Sequence, residues 1–145
     1  YVITDGTTTY EPYVGLAYVN LHTDAYDENG TAGLHGEKSN QQVIYSTLGA
    51  RMDTPLQLGD KTGRLHAGLG WRHADGDTTS SATHAFDGSD AFTVTGVPIA
   101  GDTALLEAGL NVPLRDDADF SLSYKGQFAS HAWQNSVLAN LRVRF

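Results

Sequence analysis

The chain has 145 residues, with 17 Asp and Glu against 9 Lys and Arg and a formal charge of −8. That length suits one domain with a sizeable core, and the acidic balance leaves no electrostatic footprint for a nucleic-acid partner. With no cysteine there is no disulfide framework, thiolate metal site or cysteine nucleophile, and no run of 18 apolar residues marks a transmembrane helix.

Sixteen glycines, seven tyrosines and only four prolines favour strands over helices. The mean hydropathy of −0.31 is compatible with a membrane barrel, because strict alternation averages lipid-facing and lumen-facing residues to near zero. Tyr1 follows no Met and no signal-peptide pattern, so the sequence reads as a processed product or a fragment.

Residues 1–9 suggest a short extended segment and a glycine turn. Glu11 to His22 alternates: Pro12, Val14, Leu16 and Tyr18 share one face, and Glu11, Tyr13, Gly15 and Ala17 the other. Pro12 belongs near the start of that strand. Thr23 to Gln42 is polar and rich in Asp, Asn and Gly, which predicts an exposed loop. Val43 to Asp53 is the second strand, with Ile44, Leu48 and Met52 opposite Tyr45, Gly49 and Arg51. A turn follows in LGDKTG, Leu58 to Gly63.

Arg64 to Ala74 alternates most cleanly, setting Leu65, Ala67, Leu69 and Trp71 against Arg64, His66, Gly68, Gly70 and Arg72. A second polar stretch, Asp75 to Asp90, leads through Phe92–Thr95 to a strand over Asp102 to Leu114, where Glu107, Gly109 and Asn111 oppose the aliphatics. The short turn Arg115 to Ala118 precedes a strand over Asp119 to Phe128, with Lys125 and Gln127 on its polar face, and Ala129 to Gln134 connects to the last segment. In that segment, Asn135 to Phe145, the apolar Val137, Ala139, Leu141, Val143 and Phe145 alternate with Asn140, Arg142 and Arg144, and only Leu138 breaks the pattern.

Each strand is about ten residues, the length a tilted strand needs to cross the hydrocarbon layer. Connections run long, short, long, short, medium, as in outer-membrane barrels with short periplasmic turns and longer outside loops. A small soluble barrel would fill its interior with apolar side chains. Here one face instead collects Glu11, Arg51, Arg72, Glu107, Lys125 and Arg142 with several glycines. The competing reading is a one-sided soluble sheet whose polar face meets water. The expected class is therefore all-β: an antiparallel up-and-down transmembrane β-barrel with about six strands in this chain.

In order, EPYVGLAYV, STLGARMDTPL, GLGWRH, AFTVTGVPIAGDTALLEAGL, LSYKGQF and a strand ending in Phe resemble the C-terminal part of the autotransporter β-domain, from about Thr9 to Phe145. The resemblance implies the C-terminal half of a twelve-stranded barrel that anchors a passenger domain in the outer membrane and helps secrete it by type V secretion. It implies as partners outer-membrane lipid, the barrel-assembly machinery, the passenger, and either the missing N-terminal strands or another chain. It also implies that Phe145, Val143, Leu141, Ala139 and Val137 are the assembly signal and that Glu11, Arg51, Arg72, Glu107, Lys125 and Arg142 line the pore. Six strands fall below the eight of the smallest bacterial barrels, and an open edge is not tolerated in lipid.

No HExxH or GxSxG is present, and the DAYDENG stretch fails the offsets of a calcium loop. No cofactor, metal site or catalysis is expected. His73, Asp75, Asp77 and His84 form the candidate set for a rim enzyme, and the alternative to a translocator fragment is a small self-contained outer-membrane barrel that binds partners through its long loops.

Overall fold

A computed structural model describes residues 1–30 and 33–145, and its regular structure is all strand: β1 (Ile3–Asp5), β2 (Thr8–Thr23), β3 (Tyr26–Asp27), β4 (Leu34–Gly36), β5 (Ser39–Leu58), β6 (Lys61–Gly76), β7 (Ser81–Phe86), β8 (Phe92–Thr95), β9 (Asp102–Arg115), β10 (Ala118–Ala129) and β11 (Trp133–Val143). Two compact units divide the chain. The first holds residues 1–15, 46–73 and 102–145; the second holds 16–45 and 74–101.

The first unit is built on an antiparallel meander in the order β1-β2-β5-β6-β9-β10-β11. Tight turns join the strands where turn chemistry predicts them. Gly6 and Gly59 both take φ near +60 to +70°, where a Cβ is unfavourable, and Asp116–Asp117 turns β9 into β10. Between those two strands the register slips at Ala118/Asp119, a bulge that falls beside Pro113 at the end of β9. Pro12 lies past the last β1–β2 pair, Ile3↔Tyr10, where β2 has no ladder to β1 to interrupt. At the sheet's ends, β1 and β11 have one neighbour each among the described residues.

This unit has almost no dry interior. Across the described residues the buried apolar side chains are Val43, Ala74 and Ala118 alone. Val14 is 83% exposed, Leu69 67%, Val137 69% and Val143 50%. The alternating aliphatics therefore form an exposed face rather than a core among the described residues.

Unit two contains a four-stranded sheet in the order β3-β4-β7-β8. Here the sequence-based expectation needs correction: Thr23–Gln42 and Asp75–Asp90 are not plain loops but carry β3, β4, the start of β5, the end of β6 and β7. Short strands of two to six residues, interrupted by Asp and Gly, leave too brief an alternation to detect. Thr31 and Ala32, in the first stretch, lie outside the described residues. The unit is tied by backbone bonds from Asp77 N to the Gln42 carbonyl at 2.8 Å and from Ile99 N to the Thr78 carbonyl at 2.7 Å. Other boundaries also move: β5 runs 20 residues rather than eleven, the Ala129–Gln134 connector shortens to 130–132, and Arg144 and Phe145 lie beyond β11.

Glycines on the polar face let an aromatic ring lie flat across neighbouring strands. A Cβ at Gly49 would fall on the Tyr13 ring and 2.7 Å from the Leu69 carbonyl oxygen, and one at Gly70 would meet the Tyr13 hydroxyl at 2.6 Å. Because one obstacle at Gly49 is backbone, Gly49→Ala is expected to cost about 1–3 kcal/mol. A lower transition temperature for the folded band in heat-modifiability gels is the measurement; an unchanged transition would refute the packing assigned to Tyr13.

Candidate functional site

Antiparallel register brings the polar side chains into rungs. Gly68 of β6 pairs with Glu107 of β9, Glu107 with Lys125 of β10, and Lys125 with Ser136 of β11. Because Gly68 has no side chain, Arg51 on β5 reaches across it: Arg51 Nε donates to Glu107 Oε2 at 3.3 Å, and Lys125 Nζ lies 4.0 Å from Glu107 Oε1. One carboxylate thus sits between two cations, Lys125 from the adjacent β10 and Arg51 from β5, two strands away. Arg51 also stacks 4.5 Å above the Tyr13 ring centroid.

The other polar-face candidates are distributed differently. Arg72 Nη2 donates to Gln127 Oε1 at 2.6 Å, outside the central rung. Arg142 is in register with Asp119 and lines an open depression with Asn111, Ser121 and Asn140. Glu11, exposed on β2, joins no ion pair among the described residues, and neither does Arg142. So the fold gathers Arg51, Glu107 and Lys125 and leaves Glu11, Arg72 and Arg142 apart. Tyr13, Gly49 and Gly70 belong to this surface and were not singled out by charge. Their sequence signal is glycine recurring at polar-face positions opposite a tyrosine.

The opposite face carries the apolar candidates. Val137, Ala139, Leu141 and Val143 alternate along β11, which is exposed throughout, and Phe145 is fully exposed beyond it. Asp119 accepts from Arg144 Nη2 at 2.8 Å, pinning the chain end to β10. At the other end of the strands an aromatic rung runs Trp71–Ala104–Phe128–Trp133 across β6, β9, β10 and β11. Trp71 Nε1 and His73 Nδ1 both approach Asp102 Oδ1 at 3.0 Å.

The rim histidines and carboxylates have structural partners. His73 is held by Asp102. Asp75 accepts from Gly76 N at 2.9 Å, and Asp77 from Gln42 N at 3.0 Å. His84 lies between Tyr26 and Phe92, with centroids 6.2 and 5.9 Å away. Each of these contacts satisfies a local backbone or ring group.

One sheet with an exposed apolar face, a mixed-charge polar face and open edges is the pattern of a membrane barrel wall. The Autotransporter beta-domain family matches residues 1–125. The chain belongs to that family. Two curated relatives, both named extracellular serine protease and both from Serratia marcescens, are 38% identical over 98% of this chain and 39% identical over 93% of it. The chain spans only 14% and 13% of their lengths. No solved structure matches it.

In this autotransporter β-domain the Arg51–Glu107–Lys125 rung is about half exposed, so each pair contributes at most about 1 kcal/mol. Glu107→Gln should therefore shift urea unfolding only slightly, while Glu107→Lys, which stacks three cations in one rung, should shift it further. Equal shifts for the two variants would show that the rung carries no electrostatic interaction.

Proposed function

We propose that this chain is a section of an outer-membrane translocator barrel that anchors an N-terminal passenger and helps carry it to the cell surface by type V secretion. Family membership supports a translocator role, and the carrying observation is the segregation of the two faces. Large apolar side chains such as Val14, Leu69 and Val137 stay exposed on one, and Arg51, Glu107 and Lys125 meet on the other.

In this reading hydrocarbon covers the first face. Trp133 and Val143 are ten residue steps apart on β11, about 34 Å along the strand and about 26 Å in height at a tilt of about 40°. That height suits an apolar band with the Trp71–Phe128–Trp133 rung at its outer boundary. The polar face, including Glu11, Arg72 and Arg142, lines a hydrated lumen. Paired charges and small residues there give an extended chain water and hydrogen-bond partners without a strong attraction of either sign that would hold it in place.

Backbone groups along the open edges of β1 and β11 need partners in lipid, where an unpaired group costs several kcal/mol. They pair with further strands of the same barrel or with another chain, which disfavours a self-contained barrel. The terminal segment Val137, Ala139, Leu141, Val143 and Phe145 is the assembly signal, read by the barrel-assembly machinery through addition of the exposed β11 edge to a sheet. Phe145 projects beyond the strand with nothing of its own chain against it.

Deleting Phe145 is expected to reduce insertion of the intact protein into outer membranes sharply, and surface exposure of the passenger with it. Both are read by membrane fractionation and surface labelling of whole cells. Full insertion after the deletion would overturn the signal; full insertion without surface passenger would overturn the translocator reading.

A further inference from the structure

Unit two carries eight carboxylates against one cation, Lys38, whereas the rest of the chain is nearly balanced, with nine against eight. Within this acidic unit one histidine stands between two carboxylates from different strands. His35, on β4, has Nδ1 2.5 Å from Asp27 Oδ1 on β3 and Nε2 2.6 Å from Asp87 Oδ1, just past β7. Asp27 is directly opposite His35 in the β3–β4 register, and Ala85 opposes it from β7.

We propose that His35 is a pH-operated clasp: as an imidazolium it ties β3 and β7 to β4 through Asp27 and Asp87, and on losing its proton it releases one of them. The chemistry of the donors carries this. A neutral imidazole has one N–H and one lone pair, and ionised carboxylates only accept. Neutral His35 can therefore satisfy one aspartate while turning a lone pair toward the other. Only the imidazolium donates from both nitrogens at once. The same two hydrogen bonds, Asp27 first and Asp87 second, hold the His35 pKa above the ordinary value of 6.5.

The groups around the clasp reinforce its sign. Glu28 follows Asp27 on the β3 side, and Glu37 and Lys38 follow β4 along the same depression. His84 of β7, in the neighbouring rung Tyr26–Gly36–His84–Phe92, also borders that depression, and its Nδ1 lies 3.5 Å from the Tyr26 hydroxyl. The surroundings are thus predominantly anionic and favour the charged ring. A histidine whose folded pKa is raised stabilises the fold fully below its unfolded value, and that stabilisation disappears as pH rises through the folded value. The four-stranded sheet is therefore closed in mildly acidic medium and loosened in alkaline medium.

Lys38, two residues beyond β4 and the one trypsin site in the unit, reports on the clasp. The intact protein in detergent micelles is digested at pH 6 and pH 9, with every rate normalised to an unstructured reference peptide in the same tube. Cleavage after Lys38 should be several-fold faster at pH 9, and that ratio should fall to near one in His35→Gln. Asp87→Asn, which keeps the histidine, should lower the pH at which cleavage accelerates. Nitrogen-15 NMR of the histidine rings provides the independent readout. His35 should hold protons on both nitrogens to a pH above the ordinary imidazole value of 6.5. An unchanged pH ratio in His35→Gln, or a single neutral tautomer of His35 at pH 6, would overturn the clasp.

Discussion

The structure depends on one constraint: among the described residues, nothing packs against the apolar side of its long strands. Leu69, Leu122, Val137 and Leu141 all remain substantially exposed. In water such a surface, continuous across neighbouring strands, would drive association. Against hydrocarbon it has no such penalty, and the energetic burden moves to the backbone, whose amides and carbonyls must all find partners within a sheet. In the long meander of β2, β5, β6, β9, β10 and β11 each interior strand has a neighbour on both sides, which leaves the two edges open.

That arrangement frees the opposite face from forming a core. Glycine recurs there for a steric reason: Gly49 and Gly70 admit the Tyr13 ring, Gly68 admits Arg51, and Gly109 admits the His66 ring. Large side chains rooted on one strand lie over the bare backbone of the next. The result is a polar face on which one carboxylate, Glu107, stands between two cations, Arg51 and Lys125.

The two units divide the chemistry. The meander is close to electroneutral and derives its order from long ladders, whereas the acidic unit is held by short ladders, an aromatic row and the Asp27–His35–Asp87 bridge. Short strands with few pairs open at lower free energy than long ones. Any response to the medium therefore belongs in that unit rather than in the wall.

The amino-acid sequence by itself determined the strand class, the two faces and the positions of the tight turns. Period-two alternation and Gly/Asp turn chemistry are local properties, and strands of eleven to twenty residues repeat the signal many times. The family, too, was legible, because six blocks of residues stand in its order. The small strands β3, β4 and β7 were hidden, since each exists through pairing with a distant partner and not through its own composition. Tertiary structure alone decided which polar residues meet. Arg51 and Glu107 are 56 residues apart, and His35 and Asp87 are 52 apart. Only strand register, fixed across the whole sheet by the cost of exposing the wrong face, brings such pairs within reach.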